Sequence, residues 1–85
     1  MTRSKFEIYM AILETLALNG PVRSSKIVCE TTISCSLAKK AINELRKLQL
    51  VETRKVNNTP VYFATPKARL AVIQYKEIKH SLLIS

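Results

Sequence analysis

ISCSLAKKAINELRKLQL, residues 33–50, carries two patterns at once. Leu37, Ala38, Ala41, Ile42, Leu45 and Leu48 recur at spacings of three and four, the period of one apolar helix face. Ser34 stands just before them, where a hydroxyl accepts a hydrogen bond from a free N–H of the first turn. Ser36, Lys39, Lys40, Asn43, Arg46 and Lys47 fall on the rest of the same helix. A face of that composition is ordinarily just solvated. The surrounding chain is what gives it another meaning.

Upstream, Thr31-Thr32-Ile33 breaks the helical pattern, and Ser24 or Ser25 can cap a preceding helix that runs to about Glu30. Only a few residues therefore separate the two helices. Val22-Arg23 has room for a very short extended piece. Before it, Asn19-Gly20-Pro21 stops a first helix, since glycine adopts the left-handed cap and proline cannot continue the ladder. The inner face of that helix reads as Phe6, Tyr9, Met10, Leu13, Leu16 and Ala17, with Ile8 and Ile12 widening it beyond one stripe. Downstream of Leu50 the period changes to two. Val51–Val56 and Val61–Thr65 suit strands, with Asn57-Asn58-Thr59-Pro60 as the turn, because asparagine tolerates positive φ. Thr65 caps and Pro66 opens a long last helix, at the position where a missing N–H costs nothing. No repeat or linker interrupts the order, so residues 1–85 are expected to form one domain.

Fourteen Lys and Arg oppose six acids, all Glu, giving +8 on 85 residues. That balance gathers polyanions, of which nucleic acid is the commonest inside a cell. No apolar run reaches membrane-span length, and the N-terminal segment carries Glu7 and Glu14 without a cleavage site, so the expected location is cytoplasmic. Cys29 and Cys35 have no flanking histidine and no second pair, which argues against zinc; two reduced thiols and a disulfide both stay open. Paired carboxylates, a glycine-rich loop and a nucleophile with a local base are all missing, so no enzyme, metal, cofactor or small-molecule ligand is expected. His80 reads as a surface residue. Tyr9, Tyr62 and Tyr75 fall on apolar faces and read as core with a wet hydroxyl rather than as base-stacking platforms.

Three segments, Ile27 to Ser34, Ala41 to Glu52 and Tyr62 to Ala68, taken in order, resemble the small winged helix-turn-helix DNA-binding proteins common in archaea and their viruses. Ile27 to Ser34 stands where that family has an Ile-Ala…Gly-Leu-Ser run, with Val28 for Ala and Thr32 for the turn Gly. Ala41 to Glu52 is similar to the family's L..L...GLIE ending, with Gln49 where Gly is common. Tyr62-Phe63-Ala64-Thr65-Pro66-Lys67-Ala68 is similar to Y.LT.KG, Ala64 and Ala68 replacing Leu and Gly. The resemblance implies an α+β, mostly helical fold: a three-helix core, a two-stranded wing with room for a short third strand, and a C-terminal helix over 66–84. It further implies a dimeric transcriptional regulator of double-stranded DNA, nucleoid-associated or acting in an infected host cell.

In that fold the helix over 34–48 enters the major groove. Ser34 and Ser36, with Cys35 between them, start the helix, where hydroxyls and free N–H groups suit a phosphate or base edge. Lys39 or Lys40 would pair with guanine and Asn43 with adenine, while Arg46 and Lys47 lie toward the backbone phosphates. Arg23 and Lys26 at the start of the second helix, and Arg54, Lys55, Asn57 and Asn58 on the wing, are further contact candidates.

On the last helix Ala68, Ala71, Val72, Tyr75, Ile78 and Leu82 form an arc expected to cover the domain's own core. Leu70, Ile73 and Ile84 form a second ridge, and with Ile8 and Ile12 they are expected to meet the second copy of a homodimer. Against this stands the simpler possibility that both stripes are core. The main rival function is a winged-helix protein-interaction module, which tends to expose apolar or acidic residues where this chain has lysines. An RNA-binding role lacks aromatic platforms. A membrane-surface role for the last helix would use Lys67, Arg69, Lys76 and Lys79 but finds no Trp or Phe on its apolar face.

Overall fold

Ile12, Leu16, Ile27, Ala38 and Ala68 have no solvent exposure at all, and together they sample every helix of the chain. In the computed structural model, which describes residues 4–84, the elements run α1 (Lys5–Asn19), α2 (Ser24–Thr31), α3 (Cys35–Lys47), β1 (Val51–Val56), β2 (Thr59–Ala64) and α4 (Pro66–Ile84). This is the mostly helical α+β arrangement expected, with a two-stranded antiparallel sheet as the wing. The short third strand is a single antiparallel bridge: Val22 donates to the Tyr62 carbonyl at 3.0 Å and Tyr62 donates back at 2.7 Å.

Local chemistry accounts for most boundaries. Ser4 caps α1 by accepting from the Glu7 N–H at 3.1 Å, and Gly20, at φ 71°, ends it with its N–H on the Leu16 carbonyl. The turn between the strands is only Asn57-Asn58, both at positive φ (52° and 62°), as a hairpin twisted to match its strands requires. β2 therefore starts at Thr59, two residues earlier than the sequence indicates, and takes Pro60 into the strand opposite Lys55. The cap of α2 is Arg23 rather than Ser24 or Ser25, with no side-chain hydrogen bond.

Thr65 ties the C-terminal helix to the end of α3. Its buried hydroxyl donates to the Gln49 carbonyl at 2.9 Å and accepts from the Ala68 N–H at 3.2 Å. Gln49 itself sits at φ 63° and Thr32 at φ 55°, two of the places where the resembling proteins carry glycine. Left-handed backbone at both positions explains that preference.

Several packing expectations are corrected. Ile12 is 0% exposed and Ile8 is buried too, both within this chain's own core, because α1 turns them toward α3 and the sheet; neither is available to a partner. Phe6 is exposed instead, lying beyond the core's edge and meeting Tyr75 edge-on at 5.5 Å. On α4, Ala68 and Val72 are buried and Tyr75 packs against the core, but Ile78 and Leu82 are exposed. α4 runs antiparallel to α1, and past Tyr75 it outruns the start of that helix. Leu70 and Ile73 are exposed on the opposite side, at 56% and 54%. The side chain of Ile84 lies outside the described residues. Tyr9 packs against the core, but its hydroxyl is shut off from solvent rather than wet, and no group of the chain among the described residues bonds to it.

Thr65→Val is expected to lower unfolding free energy by about 2 kcal/mol, since it strands the Gln49 carbonyl and the Ala68 N–H in a buried site; urea denaturation measures it. Gln49→Gly is expected to act the other way, by about 0.5 kcal/mol in the same assay, relief of left-handed strain exceeding glycine's entropic cost.

Candidate nucleic-acid interface

The bend that presents α3 is built from two threonines. Thr31 is buried and its hydroxyl donates to the Ile27 carbonyl at 2.6 Å, while Thr32 adopts the left-handed conformation and donates its N–H to the Val28 carbonyl at 3.0 Å. The chain thus leaves α2 and starts α3 within three residues. Ser34 caps α3 by accepting from the Leu37 N–H at 3.2 Å, and its hydroxyl lies 3.5 Å from that of Ser36.

α3 is the most clearly two-sided helix of the molecule. Ala38, Ala41, Ile42 and Leu45 are buried, whereas Ser36, Lys39, Lys40, Asn43, Arg46 and Lys47 are all exposed. At about 100° per residue these six fall within one arc of roughly 120°. Leu37 and Leu48, expected inward, are exposed: Leu37 stands at the rim of a cavity of about 260 Å³ with Lys5, Tyr9, Lys40 and Glu44, and Leu48 lies just past the helix end.

No carboxylate of α3 itself compensates the arc. Glu44, the one acid of α3, is held 3.3 Å from Lys5 of α1 and is half-buried, which keeps it from neutralising Lys40. Among the described residues the only other ion pair is Lys26–Glu30 at 3.0 Å, so Lys26 is already engaged where Arg23 is not. Arg46 and Lys47 also occupy the last turn of α3, where cations suit the helix dipole.

Asn43, Arg46 and Lys47 converge with Val51, Glu52 and Thr53 on an open groove of about 610 Å³ between α3 and the base of the wing. Sequence spacing does not reveal Glu52 and Thr53 as neighbours of the polar arc; only the strand's return beside the helix brings them there. Arg54 lies over the Phe63 ring at 5.0 Å, and Lys55 pairs with Pro60 one step from the exposed Asn57-Asn58 tip. The candidate residues thus divide into a cluster on α3, a second group on the hairpin, and Arg23 and Lys26 at the start of α2. Cys29 and Cys35 are free, exposed thiols. Among the described residues no three His, Cys, Asp or Glu side chains gather into a metal-holding group, and no helix is long and apolar enough to cross a membrane.

The sequence profile described as winged helix-turn-helix matches residues 2–82. No curated protein sequence matches at a significant level. Among solved structures, the chain is similar to an apo mutant of ZitR from Lactococcus lactis (TM-score 0.81, 22% identity, covering 93% of this chain and 61% of that one). It is also similar to BpsR of Bordetella bronchiseptica, whose DNA binding is regulated by 6-hydroxynicotinic acid (0.80, 17%, 89% and 56%). The transcriptional regulator BldR of Sulfolobus solfataricus gives 0.80 at 18% identity, over 91% and 57%. At these identities the likeness is one of fold, and the chain spans less than two thirds of each of these proteins.

Proposed function

Because the chain belongs to the winged helix-turn-helix family, we propose that it is a non-enzymatic transcriptional regulator that binds double-stranded DNA sequence-specifically, inserting the helix over 34–48 in the major groove. The observation that carries this reading is the exposed arc of Ser36, Lys39, Lys40, Asn43, Arg46 and Lys47, which no carboxylate of α3 neutralises because Glu44 is turned to Lys5. A protein-binding version of the fold would offer apolar or acidic groups there.

In this reading Lys39 or Lys40 donates to guanine and Asn43 grips adenine through both amide groups, while Ser34 and Ser36 meet the backbone or a base edge at the helix start. Arg46 and Lys47, bordering the groove toward the wing, hold phosphates; Arg23, Lys26, Arg54, Lys55, Asn57 and Asn58 add flanking contacts. Residues 1–85 act as one domain and associate as a homodimer through a face of α4, with Leu70 and Ile73 outward and available. Two α3 helices would then read half-sites about 34 Å apart on DNA. The setting is the cytoplasm, nucleoid-associated or in an infected host cell, and the motif spacing supports an archaeal or archaeal-virus source. Neither cofactor nor small-molecule effector enters the reading.

If about six to ten phosphates are neutralised, affinity for a selected duplex falls roughly a thousand- to a hundred-thousand-fold between 50 and 200 mM salt. Fluorescence anisotropy across that range tests it, and a flat response would overturn the DNA reading. Combined Lys39→Ala and Asn43→Ala substitutions are expected to remove about 1–3 kcal/mol of preference for the selected site per lost base contact. Binding to unrelated duplex should persist and thermal unfolding should be unchanged, so retained discrimination would exclude α3 as the reader.

A further inference from the structure

Glu44 stands four residues from Lys40 on α3, and a carboxylate and an ammonium at that spacing on one helix are within reach of each other. It takes a different partner. Its Oε2 lies 3.3 Å from the Nζ of Lys5, the first residue of α1. The same ammonium stands 5.7 Å from the centroid of the Tyr9 ring, one turn further along α1, whose negative face attracts a cation. Tyr9 in turn packs against the core. Lys5 is therefore held by both a fixed ring and a carboxylate where α1 meets α3.

These parts line one cavity of about 260 Å³, Lys5, Tyr9, Lys40 and Glu44 sharing it with apolar Ile8 and Leu37. Glu44 is the only acid that lines it. Glu7 and Glu14, the acids of α1, border a different cavity with Tyr75 and Lys79. One carboxylate thus has two ammonium groups around it, and Lys5 holds it. The pair gives little to stability, because the Lys5 side chain is 72% exposed and solvent screens so open a contact. Its consequence is positional. Once the Lys5 charge is removed, the only cation left in the lining is Lys40, a member of the exposed arc.

We infer that Lys5 is a positioning residue for DNA binding: it holds Glu44 off Lys40 and so keeps that ammonium available to the duplex. Lys5 acts from α1, outside the groups assigned to DNA contact. The inference rests on the DNA reading above and adds a residue of another helix to those that set its strength.

A double-mutant cycle of Lys5→Ala and Glu44→Gln in the full chain tests it, read by fluorescence anisotropy with the selected duplex. At about 0.1 M salt, Lys5→Ala is expected to weaken binding by about twofold to eightfold, the upper value being the share of one neutralised phosphate. In the Glu44→Gln background the same substitution should cost less than about twofold, since no carboxylate remains to be released onto Lys40. Lys5→Arg, which keeps the charge, should bind as the wild type does. Thermal unfolding checks each variant, and Lys5→Gln replaces Lys5→Ala if the alanine variant does not fold. An equal loss in both backgrounds would mean that Lys5 itself meets a phosphate, and a loss in neither would mean that Glu44 leaves Lys40 untouched; each result overturns the inference. A wild type that fails to bind duplex overturns the DNA reading itself.

Discussion

Burial of Ala38, Ala41, Ile42 and Leu45 sets the roll of α3 about its axis, and the rest of the molecule is organised around that one constraint. Turning the helix by one residue would push a lysine into the core or expose an isoleucine, either of which costs several kcal/mol by typical burial energies, on the order of 2–5 for a lost large aliphatic contact. With that side held against the core, the polar arc is forced outward as a unit. Function on such a scaffold is therefore a matter of which groups stand on the arc, not of any motion needed to assemble them.

Much of this was readable from residues alone wherever a local hydrogen bond or a single torsion settles the matter. Ser34 as the cap of α3, Gly20 as the stop of α1, the Asn57-Asn58 turn and the Thr65-Pro66 start of α4 each follow from the chemistry of one or two side chains. Gln49 and Thr32 show the converse: they depart from the glycine pattern, yet the backbone still takes the left-handed turn, because burial of neighbouring Thr31 and the Thr65 tie over-determine it. What periodicity could not supply was extent. It marks an apolar row without saying where the partner helix ends, which is why Ile78 and Leu82 continue the row in solvent and Phe6 falls outside the core. It also could not show how far round α1 burial reaches, and Ile8 and Ile12 are buried along with Met10, Leu13 and Leu16.

The candidate site was legible to a similar degree. Every polar residue of the arc is where its spacing puts it, but the carboxylates around it are arranged by tertiary structure. Glu44 is drawn aside by Lys5, thirty-nine residues away in sequence, and Glu52 is carried to the mouth of the groove by the strand. Glu52 thereby places one carboxylate beside Arg46 and Lys47, an arrangement that a tally of charge would record only as one unit fewer.

The single bridge between Val22 and Tyr62 has a mechanical corollary. A two-stranded hairpin alone is marginal in water, and this one is held to the body by more than its strand ends. Two hydrogen bonds to the α1–α2 connection stitch its second strand to the helices, and Val51, Val61 and Ala64 are buried along it. An element fixed at its base in this way has little conformational freedom left to lose in any contact it makes.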